Sequence, residues 1–319
     1  MRRTVRKILV TGGAGFIGSE FVRQGVKRGY RLVVADNLTY AGDFKRLKEV
    51  SKDIRFHKTD ICSKEKLEAI FRREKFDSLV HFAAETHVDR SLQDNAPFIL
   101  TNILGTHNLI DLSLKYALST FVHISTDEVY GQSVKGFFKE SDPLKPRNPY
   151  AVTKASGDLL VQAAIHTFAL PAIIIRPANN YGPWQYPEKL IPVIISKSLK
   201  SQCVPVYGKG RQIREWLHVA DCVAGIFLIL EKGSMGEIYN IGSSFEQRNI
   251  DTVKSVLRIL GLKENLIRFV PDRPGHDFRY SVDCTKIRKL GWRSQISFED
   301  GIAGTVAWYK NAAFTSAAP

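Results

Sequence analysis

The sequence predicts an α/β fold: a doubly wound parallel Rossmann sheet carrying a smaller α/β lobe. Three observations predict it. Short β-rich runs alternate with helical stretches through the first half. Interior runs such as Leu32-Val33-Val34-Ala35 are continuously apolar, as strands buried on both faces must be. A glycine-spaced turn follows the first such run and opens a helix.

The elements follow in order. Residues 7–11 read as a buried strand and 16–29 as the helix after it. Residues 31–35 and 54–57 read as strands, and 63–73 as a helix with Ser63 as N-cap and Lys66 in its first turn. Residues 78–82, 120–125 and 172–176 are further strands, and 94–117 and 150–168 are long helices. After Arg176 the texture changes. Asn179-Asn180-Tyr181-Gly182-Pro183 opens a half with more proline, more glycine and irregular spacing. This places a first domain at 1–176 and a second lobe mainly at 177–319. The stretch 213–241, with its apolar run 219–230 and strand-like 237–241, is expected to return to the first domain. The end, AAFTSAAP, reads as a frayed tail.

Bulk composition narrows the class. The chain has 319 residues, 44% hydrophobic and 24% charged, which is ordinary globular composition and long enough for about two lobes. Cys62, Cys203, Cys222 and Cys284 form no C-x-x-C pair, so reduced thiols are expected rather than a disulfide framework, and no metal site. The basic N-terminus is followed by an apolar run of only Ile8 to Val10, too short for an export signal. The apolar run 222–230 is far below the roughly 18 residues of a membrane span. A cytoplasmic protein with no membrane partner is expected. The net charge of +14 is scattered in pairs such as Lys27-Arg28 and Arg72-Arg73. It is read as a solvated basic surface rather than a nucleic-acid footprint, with an anionic ligand as a further use.

Thr11-Gly12-Gly13-Ala14-Gly15-Phe16-Ile17-Gly18 spaces its glycines G-x-x-G-x-x-G between strand and helix. Gly12 permits the tight turn, Gly15 admits a pyrophosphate, and Gly18 allows close helix–sheet packing. The helix N-terminus then offers unpaired N–H groups to phosphates. Asp36 ends the second strand, where a carboxylate would accept from ribose hydroxyls and repel a 2′-phosphate. That favours NAD over NADP. Asp60-Ile61 follows the third strand, where an adenine edge would lie.

Tyr150-Ala151-Val152-Thr153-Lys154 sets Tyr and Lys four apart, on one helical face. A nearby lysine charge is expected to lower the phenol pKa, so that Tyr150 acts as base towards a hydroxyl. Thr126-Asp127-Glu128 follows the strand before it and supplies two adjacent carboxylates.

Further stretches accompany these motifs: DNLTYAG from Asp36, HFAAETHVDRS from His81, STDEVYG from Ser125, NNYGPWQYPEKLIP from Asn179, YGKGRQIREWLHV from Tyr207 and DRPGHDFRY from Asp272. With TGGAGFIGS and Y-x-x-x-K they span nearly the whole chain in order. The chain resembles the extended short-chain dehydrogenase/reductases, and more narrowly the dTDP-glucose 4,6-dehydratases. The resemblance implies a nucleotide-sugar substrate and a bound NAD that is regenerated each cycle. It implies that Tyr150 takes the 4-hydroxyl proton as C4 is oxidised, with Thr126 bonding that hydroxyl and Lys154 beside it. Glu128 is then the base for the C5 proton and Asp127 the acid for the C6 hydroxyl. Asp127 must be protonated for this, so burial and its neighbour should raise its pKa.

The resemblance also assigns contacts. Gly12, Gly15, Phe16, Ile17, Gly18, Asp36, Asn37, Leu38, Thr39, Asp60, Ile61, Phe82, Ala83, Ala84, Thr101, Tyr150, Lys154 and Asn180 fall at cofactor positions. Thr86, Asn179, Lys189, Leu190, Pro205, Val206, Tyr207, Arg214, Asn249, Arg273 and His276 fall at substrate positions. A homodimer paired through the two long helices as a four-helix bundle is implied as well. The chain departs from the pattern in Glu215, where R-D-W-L is usual, in a short 131–149 linker and in its +14 charge. A 4-epimerase shares the fold, the cofactor and the Tyr–Lys pair, and dTDP and UDP sugars remain open at this level.

Overall fold

The computed structural model describes residues 7–314, and for 312–314 the backbone only. β1 (Lys7–Thr11) leads through the glycine turn into α1 (Phe16–Lys27) and β2 (Arg31–Asp36). β3 (Ile54–Lys58), α2 (Lys64–Glu74) and β4 (Ser78–His81) follow. Ser63 does sit at the N-cap of α2, but its side chain makes no capping hydrogen bond.

The helix expected over 94–117 is not regular. After α3 (Val88–Gln93) come α4 (Ala96–Ile99), a π-helical stretch (Leu100–Gly105) and α5 (Thr106–Lys115). The buried Asn102 side chain explains the local register: its Oδ1 accepts from Glu85 N at 2.9 Å, and its Nδ2 donates to Glu85 O at 3.0 Å and Thr153 Oγ1 at 2.9 Å. The wider turn lets that side chain point inward while Thr101 faces the cleft described below.

β5 (Thr120–Ile124), α6 (Pro149–Phe168) and β6 (Ala172–Pro177) complete the first half. Asn148 caps α6 by accepting from Ala151 N at 2.8 Å, with Pro149 in its first turn. β7 (Asn179–Tyr181), α7 (Leu190–Leu199), β8 (Val204–Tyr207), β9 (Ile213–His218), α8 (Val219–Lys232) and β10 (Ile238–Ile241) follow. The chain continues through β11 (Glu246–Arg248), α9 (Asn249–Ile259), β12 (Ile267–Val270), α10 (Thr285–Lys289) and α11 (Phe298–Phe314). Of the tail expected to fray, 312–314 continue α11 and 315–319 lie outside the described residues.

Seven strands form one sheet in the order β10-β6-β5-β4-β1-β2-β3, and every pairing in it is parallel. The order reverses at β1, so the crevice beyond the strand C-termini opens between β1 and β4. β10 and α8 join this part of the molecule, α8 packing on α1 through Phe227 and Phe21, whose rings stack at 4.3 Å. β9 does not join: it pairs with β7 and β11 in a separate three-stranded sheet. Each face of the large sheet carries its own apolar core, one including Phe21, Ile226 and Phe227, the other including Phe71, Leu109 and Phe121. A third core of Ile191, Ile194, Trp216, Val253 and Ile302 joins α7, β9, α9 and α11.

Candidate active site

The site grows from the C-terminal ends of β1, β4 and β5. Gly12 leaves β1 with φ +71°, a backbone that favours glycine, and a Cβ there would lie 2.4 Å from Ala83 N. At Gly18 a Cβ would meet Gly12 O at 2.2 Å, so α1 approaches the turn only without one. At Gly15 the nearest obstacle is a single backbone oxygen, and this glycine lines an open cleft. Phe16, Ile17, Asp36, Asn37, Thr39, Asp60, Ile61, Phe82, Ala83, Ala84, Thr101 and Asn180 line the same cleft, as do Gly12 and Gly18. Leu38 does not: at φ 51° its side chain packs against the first core.

Asp36 has two tasks. Its oxygens accept from Ala14 N at 2.9 Å and Leu38 N at 2.8 Å, tying the glycine turn to the second strand. It also borders the cleft, where burial raises its carboxyl pKa. Among the described residues the buried Asn179 Oδ1 and Gln185 Oε1 have no hydrogen-bond partner, and both residues line the cleft. A glycine cradle, a helix N-terminus and unpaired polar atoms fit a dinucleotide phosphate and its nicotinamide end.

Thr126, Glu128, Tyr150 and Lys154 line the same cleft. A short 3₁₀ turn, Asp127–Tyr130, carries the carboxylates and is capped by Thr126 Oγ1, which accepts from Glu128 N at 3.3 Å. Asp127 is 1% exposed. Burial, then the charges of Glu128 and Glu215, hold its carboxyl well above the usual carboxylate range. That is the direction an acid requires.

The Tyr150–Lys154 pair corrects one expectation. The phenol is not lowered: burial, then the Glu128 charge, push it up, against a smaller contribution from Thr126. Lys154 Nζ instead donates to Ile124 O at 2.7 Å, and burial pushes its pKa down to about 8, opposed by the Asp158 charge. Asp158, one turn further along α6, is bound by Arg176 Nε at 2.8 Å and approached by His123 Nε2 at 3.4 Å. Burial alone would raise Asp158; His123 and Arg176 more than reverse it.

Of the residues at substrate positions, Thr86, Asn179 and Lys189 line the cleft. Lys189 Nζ donates to Thr86 O at 2.8 Å. A second group gathers around Asp89 of α3: Tyr207 Oη donates to it at 3.3 Å and Arg273 at 3.2 Å. His276 packs edge-on to Tyr207, with Nδ1 2.6 Å from Asp272 Oδ1. Burial, then the Arg273 charge, push His276 down to about 4, so it is neutral at pH 7. Arg214 lies over the Tyr280 ring at 4.5 Å and donates to Asp277 O at 3.1 Å. Asn249 begins α9, its N–H donating to Gln212 O at 2.8 Å. Pro205 and Val206 lie on β8, and Leu190 opens α7 with its side chain against the third core.

Sequence reasoning passed over Asp89, Asn148, Asp158, Arg176 and Tyr280. Only Asn148 had a local signal, an Asn-Pro step before a helix. Glu215, the departure from R-D-W-L, is fully buried, accepts from Ser244 N at 2.7 Å and Val282 N at 3.2 Å, and is raised by burial to about 7.

A parallel sheet reversing at a glycine turn, with a Tyr–Lys pair and two carboxylates at its mouth, defines a dinucleotide-dependent enzyme of the short-chain dehydrogenase/reductase type. Comparison with known proteins narrows this. The family model described as GDP-mannose 4,6 dehydratase matches residues 9–305. The dTDP-glucose 4,6-dehydratase of Streptomyces niveus is 46% identical over 314 residues, covering 96% of this chain and 93% of that one. Among solved structures, the dTDP-glucose 4,6-dehydratase DesIV of Streptomyces venezuelae, with NAD and dTDP bound, superposes with TM-score 0.94 at 44% identity, covering 97% of this chain and 98% of that one. A UDP-glucose 4-epimerase of Thermotoga maritima, with UDP-glucose, reaches TM-score 0.91 at 32% identity, over 96% of this chain and 99% of its own. The chain belongs to the nucleotide-sugar 4,6-dehydratase family. Among the described residues no helix is long and apolar enough to cross a membrane.

Proposed function

We propose that the protein is an NAD-dependent dTDP-glucose 4,6-dehydratase, a hydro-lyase that converts the bound sugar nucleotide to its 4-keto-6-deoxy form and water. The carrying observation is the pair Asp127–Glu128 beside Tyr150: one carboxyl buried and pushed well above the usual carboxylate range, the other bordering the cleft. An epimerase that removes and returns one hydride has no use for two such groups.

NAD, when bound in the glycine cradle, supplies the acceptor and donor of the hydride. Everything else falls to the chain. Tyr150 takes the proton of the sugar 4-hydroxyl, oriented by Thr126. Its ordinary state is the neutral phenol, so the Lys154 charge and the ligand must together make proton removal favourable. The C4 ketone acidifies C5, and Glu128 takes that proton. The electron pair left at C5 expels the C6 hydroxyl, which Asp127 protonates to water. Lys189, Arg214 and Arg273 supply cations for the diphosphate, and Tyr207 supplies a wall for the base. The four cysteines are free thiols, which supports a cytoplasmic setting. The protein acts as a homodimer.

Single turnover in heavy water tests the reading. Deuterium should appear at C5 of a 6-deoxy product. Asp127→Asn and Glu128→Gln should each slow dehydration by about 10²–10⁴-fold while still reducing the bound nicotinamide. A product that keeps its 6-hydroxyl, or carboxamide variants with parental turnover, overturns it.

A further inference from the structure

We infer that Tyr280 and Asp277 are positioning residues for Glu128, holding its Oε2 so that Oε1 faces the C5 proton. The inference deepens the proposed function and rests on its reading of Glu128 as the C5 base.

Tyr280 is 2% exposed and comes from the second lobe, more than 150 positions from Glu128 in sequence. Its hydroxyl lies 3.3 Å from Glu128 Oε2 and 2.6 Å from Asp277 Oδ2. A phenol has one proton. The short contact takes it, so Tyr280 donates fully to Asp277 and only weakly towards Glu128. Asp277 is itself fixed, its Oδ1 lying 3.4 Å from Arg147 Nε and its main-chain oxygen accepting from Arg214. Arg214 also covers the Tyr280 ring. The Tyr280 ring is therefore held in place between the two carboxylates.

Asn148 completes the clamp. Its Nδ2 donates to the same Glu128 Oε2 at 3.2 Å. Its Oδ1 is committed to Ala151 N as the cap of α6, which fixes which end of the amide faces Glu128. Both contacts fall on Oε2, leaving Oε1 to receive the proton. The clamp thus fixes one oxygen of the carboxylate and leaves the other towards the cleft.

The step itself is a proton transfer: the C5–H bond breaks, its proton goes to Glu128, and its electron pair displaces the C6 hydroxyl that Asp127 protonates. Tyr280 and Asp277 gain and lose nothing overall.

The test is single turnover of dTDP-glucose in heavy water by the full-length enzyme loaded with NAD. C4 oxidation is read as nicotinamide absorbance and C5 exchange as deuterium by mass spectrometry. Tyr280→Phe keeps the ring under Arg214 and removes the hydroxyl. It should leave C4 oxidation and KM within about twofold and slow C5 exchange by at least about tenfold. Asp277→Asn weakens the 2.6 Å anchor of the Tyr280 hydroxyl, so the clamp on Glu128 loosens and C5 exchange should again slow with C4 oxidation kept. This second variant carries the test if the first does not fold. Parental C5 exchange in Tyr280→Phe, or in Asp277→Asn where the first variant does not fold, overturns the inference, and so does a parallel loss of both steps. Glu128→Gln separates the two readings. If it exchanges C5 at the parental rate, the base assignment fails. If it stops exchange while Tyr280→Phe does not slow it, the inference alone fails.

Discussion

At the scale of single residues, the proposed chemistry rests on a lysine whose charge is marginal. Burial holds Lys154 near a pKa of about 8, and Asp158 is the charge that keeps it from falling further. The groups around it are Tyr150 and Asp158 on α6, Ile124 O and His123 on β5, and His81 on β4. Lys154 contributes to the lowering of both histidines. The sign follows. Asp158→Asn removes a favourable charge, so the Lys154 pKa drops below about 8. Activity that needs the ammonium form is then lost at lower pH, and the alkaline limb of kcat should move down by about one unit. The variant should also melt earlier, because Arg176 would be left buried without its partner. A stopped-flow pH profile of nicotinamide reduction checks this, and an unmoved alkaline limb refutes it. The spacing of Tyr150 and Lys154 was legible in the sequence because i and i+4 share a helical face. The direction of the Tyr150 shift was not. It depends on Glu128 and on burial at the end of β5, which only the assembled sheet brings to bear.

At the scale of elements, most strands of the first half were legible as short apolar runs, and β3 as the alternating edge run Ile54–Lys58. The three-stranded sheet was not. β7 and β11 are three residues each, and Ile213–His218 carries Arg, Glu and His among its apolar positions. The π-helical stretch was hidden too, since Leu100–Gly105 has no local feature that demands a wider turn. Its cause is distant: Asn102 reaching Glu85, and Gly105 passing Ile61, where a Cβ would stand 2.4 Å from Cδ1. Asn102→Ala should therefore cost more than an average hydrogen bond. It leaves the half-buried Glu85 N and O without their partner and removes a donor to Thr153, a loss of about 1–3 kcal/mol per unsatisfied buried group. Urea denaturation should show a lower midpoint with an unchanged slope, and the KM for the sugar nucleotide should rise as Thr86 loosens. A midpoint equal to the parent's would mean that the π stretch is held by packing alone.

At the scale of the whole molecule, α6 faces two ways. Its inner face carries Tyr150, Lys154 and Asp158, all buried, while its outer face leaves Val152 46% and Leu159 57% exposed. Beside it the α4–α5 region exposes Ile99, Leu100 and Leu104. Scattered apolar residues are ordinary on a surface, but five on two neighbouring helices are where the proposed homodimer would pair. A two-fold axis through this face pairs each helix with its own copy, so that one patch serves both partners. Net charge opposes this pairing, since two chains of +14 repel, and salt screens that repulsion within about 8–10 Å. The association should therefore strengthen as salt rises. Val152→Lys with Leu159→Lys places charges on the outer face without touching the inner face. Light scattering at micromolar concentration should find the parent a dimer and the double variant a monomer. The dimer fraction of the parent should rise between low and moderate salt. The monomeric variant should lose activity by more than its folding explains, because α6 would present Tyr150 and Lys154 from a helix no longer braced on its other side. A parent that scatters as a monomer at every salt concentration defeats the assignment of this face.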